Sequence, residues 1–152
     1  MEIPSLQREI SFEQMKIPEI SDFSNGNSII SIGKEKINSL KNSINEIQKL
    51  IEEREILSQN FLREGDEIKL EISNFMIENE NNTRDITEKD FLVEKNALRN
   101  KKIEISELQL NEKINCWKDI ALLKKELREN ERELTEKESR LKEINELMSE
   151  GN

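Results

Sequence analysis

The sequence has no histidine and no tyrosine, and only one cysteine, one tryptophan and two prolines among its 152 residues. Without histidine the chain lacks the usual general base, the usual activator of a serine or cysteine nucleophile, and the commonest metal ligand. Cys–His and Ser–His–Asp sites are therefore excluded within it. A lone cysteine, Cys116, with no histidine beside it also excludes ordinary zinc sites and any internal disulfide. Gly33-Lys34 is the only Gly-Lys pair. Gly26 lies too far upstream of it, and Glu35 stands where Ser or Thr is needed, so it is no phosphate-binding loop. Carboxylates are abundant, but an exposed helix offers no pocket to shift their pKa values. The expectation is a chain that is not an enzyme, with no catalytic residue, no cofactor and no metal.

Apolar material is scarce as well. Hydrophobic residues make up 34% of the chain and aromatic residues 4%, against 38% charged. A globular domain of this length needs a broad core to cover most of its surface. A helical pair needs only a narrow apolar seam, which this composition can supply. No apolar run approaches a membrane span, so no membrane insertion is expected. The opening Met-Glu-Ile-Pro has neither the basic nor the apolar region of a signal peptide. The last residues carry no anchor or lipidation cysteine. An intracellular protein, cytoplasmic or nuclear and not secreted, is the expectation.

The net charge of −9 is spread evenly. Residues 1–33 carry 2 basic against 5 acidic side chains, residues 34–84 carry 8 against 11, and residues 85–152 carry 14 against 17. No basic arm exists to neutralise phosphates, so direct nucleic-acid binding is not expected.

What the chain does contain is helix-forming sequence with a recurring apolar step. Both prolines and two of the four glycines fall in residues 1–33, which read as an irregular N-terminal tail. That tail holds two apolar clusters, Ile3, Leu6, Ile10 and Phe12, then Ile17, Ile20 and Phe23, each opened by Ile-Pro. They are candidate docking motifs for a third protein. From Lys34 to Glu150 there is no proline, and Gly65 is the only glycine. Residues 34–77 form the first predicted coiled-coil segment. Ile37, Leu40, Ile44, Ile47 and Ile51 step by three and four along it, as a heptad seam does. After Ile51 the phase slips, and Leu57, Phe61, Gly65, Ile68, Ile72 and Phe75 follow a spacing closer to an eleven-residue repeat.

Residues 78–86 lack apolar side chains until Ile86 and read as a polar hinge or loop. Thr83, Asp85 and Thr87 are candidate helix caps, with Asp85-x-x-Glu88 resembling a capping box. The absence of Gly and Pro there favours a continuous but weakened helix over the turn of a helical hairpin. Residues 87–150 form the second predicted segment. Ile103, Leu110 and Trp117 lie seven apart in it. A cleaner register follows, with Ile120, Leu127, Leu134, Leu141 and Met148 at one seam position and Leu123, Asn130, Lys137 and Ile144 at the other.

The fold class expected is all-α: an elongated coiled coil, either one long interrupted helix or a long helical hairpin. The partner-binding seam would comprise Ile37, Leu40, Ile44, Ile47 and Ile51, then Trp117, Ile120, Leu123, Leu127, Asn130, Leu134, Leu141, Ile144 and Met148. In a parallel self-dimer that last register would set Glu126 against Glu131 and Glu133 against Glu138, with Asn130 and Lys137 in the seam. A different coiled-coil protein is therefore the expected partner. The function expected is that of a structural scaffold subunit in a hetero-oligomeric assembly, cytoskeletal or chromosome-associated, of kinetochore, spindle-pole or centrosome type. The alternative is a membrane-trafficking tether or fusion-type helical protein.

Overall fold

A computed structural model of the chain describes residues 25–81 and 87–150. Two long helices, α1 (Asn25–Asn81) and α2 (Glu88–Glu150), account for all of these but Thr87, and no strand occurs among the described residues. The helices are in close contact. None is long and apolar enough to cross a membrane.

The helix borders follow local chemistry. The α2 start is capped by Thr87. Its hydroxyl accepts from the Asp90 backbone N–H at 3.4 Å and donates to the Asp90 carboxylate at 2.8 Å. Glu88 and Asp90 place negative charge in the first turn, where the helix dipole favours it. Thr83 and Asp85 lie outside the described residues, as does the rest of the polar stretch from 82 to 86, while Glu78–Asn81 belongs to α1. At the other end α1 begins at Asn25 and so includes residues 25–33, which composition alone assigned to the irregular tail. Gly33 explains how a glycine is tolerated there. A Cβ at Gly33 would stand 3.4 Å from Leu141 Cδ1, an ordinary contact distance, so Leu141 packs over this turn and tertiary packing offsets the low helix propensity. The apolar clusters of residues 1–24 lie outside the described residues.

The contacts divide the chain into two units. The first joins α1 up to Asn42 with α2 from Glu131. Ile37 is buried there, with Leu40, Leu134, Leu141 and Ile144 partly buried. Lys41 reaches Glu138 at 3.8 Å. Lys137, a polar residue at a seam position, is partly buried and pairs with Glu133 on its own helix at 3.4 Å.

The second unit, Ser43–Asn130, holds Ile44 and Ile47 buried and Ile51, Ile120, Leu123, Leu127 and Asn130 partly buried. Its helices run antiparallel. Arg54 meets Glu112, Leu62 meets Gln109, Ser73 meets Lys102, and Glu80 meets Lys95, so the partner number falls as the α1 number rises. A continuous helix through residues 78–86 does not fit these contacts. The hairpin alternative does. Nothing in the local sequence marks the reversal with Gly or Pro, so only tertiary contacts reveal it.

Candidate helix-docking surface

In the second unit the line that faces between the helices is unexpectedly polar. On α1 the positions Ile44, Ile51, Ser58, Gly65, Ile72 and Asn79 recur every seven residues, and all are buried or partly buried. Three of the six are not apolar. On α2 the matching line includes Ile105, Gln109, Glu112 and Cys116. Polar groups placed there must find partners, and no buried side-chain N or O among the described residues lacks one.

Two clusters satisfy them. In the first, the Arg54 guanidinium donates to Glu112 at 2.5 Å and to Asp119 at 2.9 Å. These bonds, to Glu112 first and Asp119 second, push the Arg54 pKa above its ordinary value, so the group stays charged throughout the accessible pH range. Cys116 is buried beside it, its Sγ 4.0 Å from the Arg54 carbonyl oxygen. We predict that Arg54→Ala lowers stability by about 1–2 kcal/mol, less than a fully buried pair would lose because Asp119 remains half in water. Urea unfolding followed by circular dichroism measures it, and an unchanged midpoint would reduce the clamp to a surface ion pair.

The second cluster centres on Gln109, whose side-chain amide donates to the Leu62 carbonyl at 2.8 Å and to Asp66 Oδ1 at 3.0 Å. It occupies the space that Gly65 leaves empty. The Asp66 carboxyl is held below its usual value, chiefly by the Gln109 amide and then by Lys69. The charged form is thus favoured in the folded chain. Its contribution is complete above the unfolded aspartate pKa of about 4 and is lost as pH falls through the lower folded value. Asp66→Asn is expected to flatten the fall in stability below about pH 4, read from thermal midpoints across an acid series. A slope identical to that of the parent would remove Asp66 from the acid response.

Because the inner line takes polar residues, much of the large apolar material lies outside. On α1 of this unit Leu57, Phe61, Ile68 and Phe75 are between 40% and 63% exposed. Phe61, Ile68 and Phe75 are seven apart with Leu57 one turn before, so the four form a line along one edge of the helix. On α2 Ile103, Leu110 and Trp117 form a second line, 56% to 72% exposed. Leu70, Ile103 and Leu110 share an open groove of about 620 Å³ with Asp66, Lys69 and Ser73. The α1 line lies on the other edge of the buried Ser58–Gly65–Ile72 positions from these groove residues. The unit therefore presents exposed apolar residues on two sides.

The residues assigned to the seam from sequence thus separate. Ile37, Ile44 and Ile47 are buried, while Leu40, Ile51, Ile120, Leu123, Leu127, Asn130, Leu134, Leu141 and Ile144 are partly buried. Trp117 and Met148 are exposed. Arg54, Ser58 and Gln109 are inner-face residues that apolar periodicity alone did not select. Holding the seven-residue step from Ile44 onward finds Ser58 and Gly65.

Comparison with protein-family models, with curated proteins and with solved structures gives no match.

Proposed function

We propose that this chain is a non-enzymatic scaffold subunit. Its two helices form a coiled-coil hairpin, and the outward apolar lines of that hairpin dock helices of other subunits in a hetero-oligomeric assembly. The observation that carries this reading is the placement of Leu57, Phe61, Ile68, Phe75, Ile103, Leu110 and Trp117 in exposed positions at helical spacing. Isolated exposed apolar residues are ordinary. Lines of them recurring every seven residues are the form a coiled-coil contact takes, and tryptophan is enriched where interfaces derive most of their binding energy. The absence of histidine from the sequence supports a binding role over a catalytic one. The assembly we favour is cytoskeletal or chromosome-associated, in the cytoplasm or nucleus, where long helical subunits align and space their partners. Another coiled-coil protein is the partner class.

The test compares the full chain with a Phe61→Ser/Trp117→Ser variant, each used to capture proteins from native extract. Trp117 is 72% exposed and Phe61 40%, so the helical signal in circular dichroism should match the parent while the thermal midpoint falls modestly through the covered part of Phe61. Specific loss of helical co-purifying proteins from the variant supports the reading. An unchanged set of captured proteins, or none with the parent, overturns it.

A further inference from the structure

We propose that the α1 line Leu57–Phe61–Ile68–Phe75 is the seat of an amphipathic helix from a different protein, one whose own apolar seam is edged by lysine or arginine. This rests on the docking reading above and specifies which of the two lines is used and the chemistry of its occupant.

Carboxylates edge the line. Glu64, Glu71 and Glu78 follow Phe61, Ile68 and Phe75 by three residues each, so every one lies a turn along and beside an apolar member. Glu53 lies a turn before Leu57, and Glu67 directly precedes Ile68. The edge is therefore a row of carboxylates at the same seven-residue period as the apolar line. None of Glu64, Glu71 and Glu78 pairs with a cation among the described residues. Arg63, next to Glu64, makes no ion pair with the row, and two other nearby cations are engaged elsewhere. Lys69 bonds Ser106 and Asp66 toward the groove on the other edge, and Lys101 pairs with Glu104 at 3.9 Å. An apolar line bordered by Glu64, Glu71 and Glu78, none of them ion-paired, matches one ligand pattern best, a helix with apolar seam residues and basic flanks.

The same row argues against the nearer occupants. A second copy seated antiparallel on this line would bring the two acidic rows together, with like charges opposed. The chain's own N-terminal segment holds apolar clusters, but residues 1–33 carry 5 acidic against 2 basic side chains, so it too would meet the glutamates with the wrong sign. From Leu57 to Phe75 the line extends about 27 Å at the helical rise, which asks for about five turns of partner helix. The other outward line lacks this directionality. Its groove mixes Asp66 and Glu107 with Lys69 and Lys102, and so selects for no single sign.

The experiment titrates the full chain with two synthetic helices of about five turns. Both have leucine at the seam positions. One has lysine at the flanking positions and its twin has glutamate. Binding is followed by side-chain NMR shifts of Leu57, Phe61, Ile68 and Phe75 on one side and of Ile103, Leu110 and Trp117 on the other. The expected result is binding of the lysine-edged helix with shifts confined to the first group. The Glu64→Lys/Glu71→Lys/Glu78→Lys variant should then bind that helix roughly tenfold or more weakly and turn to the glutamate-edged twin. Equal binding of both helices by the parent chain overturns the proposal. So does binding whose shifts fall on Ile103, Leu110 and Trp117, but that result leaves the docking reading standing. Self-association of the parent that Phe61→Ser abolishes assigns the line to a second copy and overturns the proposal. A line that becomes accessible only when residues 1–24 are removed also overturns it. Failure to bind either helix, together with an unchanged capture profile in the extract experiment, overturns both readings.

Discussion

Replacing Ile47 with alanine should destabilise the chain by about 2–3 kcal/mol, while replacing Trp117 with alanine should cost less than about 0.5 kcal/mol. The contrast inverts what residue size suggests. Ile47 is 5% exposed, one of only four buried hydrophobic residues among those described, the others being Ile37, Ile44 and Cys116. Removing its branched side chain loses transfer free energy and leaves a void beside Ile44. The interior is thin, so part of the void can fill with water or close by rotation of neighbours. That is why the figure sits at the low end for an isoleucine truncation. Trp117 is 72% exposed, so its truncation uncovers little and opens no cavity. Denaturant unfolding of both variants reads the difference. Comparable losses in the two would mean that Trp117 is covered within the isolated chain, and the outward line would lose its strongest member.

The helical character of the chain was legible because it rests on single residues and short spacings. No proline interrupts Lys34–Glu150, and Ile37, Leu40, Ile44, Ile47 and Ile51 repeat at three and four. The register from Ile120 to Ile144 is equally regular, and its members are partly buried throughout. Two features were not legible. The start of α1 was hidden by Gly26 and Gly33, since glycine argues against helix unless its packing is known. What recovers the helix is Leu141, far along the chain, which lies over Gly33. The reversal between the helices was hidden for a related reason. A polar stretch without glycine is compatible with a weak helix or with a turn, and the choice is made by contacts such as Glu80 with Lys95.

The candidate surface was half legible. Apolar periodicity finds lines of hydrophobic residues, and it assumes that such lines face inward. Through Ile51 that assumption holds. Beyond it, the step to Leu57, Phe61, Ile68 and Phe75 reads as a phase slip of one seam, when it is a second line beside the first. The inner line continues at its original period, but Ser58 and Gly65 replace aliphatic residues and so fall silent to a hydrophobic reading. The same happens on α2, where Ile103, Leu110 and Trp117 draw attention while Gln109 and Glu112 face the partner helix. An apparent slip of this kind, with small or polar residues still on the old period, is the signal that distinguishes the two cases.

Replacing Gly65 with leucine should destabilise the chain by about 2–4 kcal/mol, although leucine is the better helix former. In an isolated helix the same change would be favourable by up to about 1 kcal/mol. The sign reverses because the space over the Gly65 Cα is already taken by Gln109. A Cβ built there would collide with the Gln109 Nε2, Cδ and Cγ atoms. The Gln109 side chain would have to leave, and with it would go its bonds to the Leu62 carbonyl and to Asp66. Gln109 is itself 7% exposed, so its amide would lose those partners without regaining full hydration. A double-mutant cycle separates this account from a general intolerance of bulk. In the Gln109→Ala background the collision is gone, and Gly65→Ala should then stabilise the chain by about 0.5–1 kcal/mol, as helix propensity alone predicts. With Gln109 present, the same Gly65→Ala change should be neutral or destabilising, giving a coupling of about 1–2 kcal/mol. Thermal and urea unfolding of the four proteins measure it. A Gly65→Ala effect of the same sign and size in both backgrounds would show that Gln109 does not sit against Gly65, and that the antiparallel register in this unit is held by other contacts.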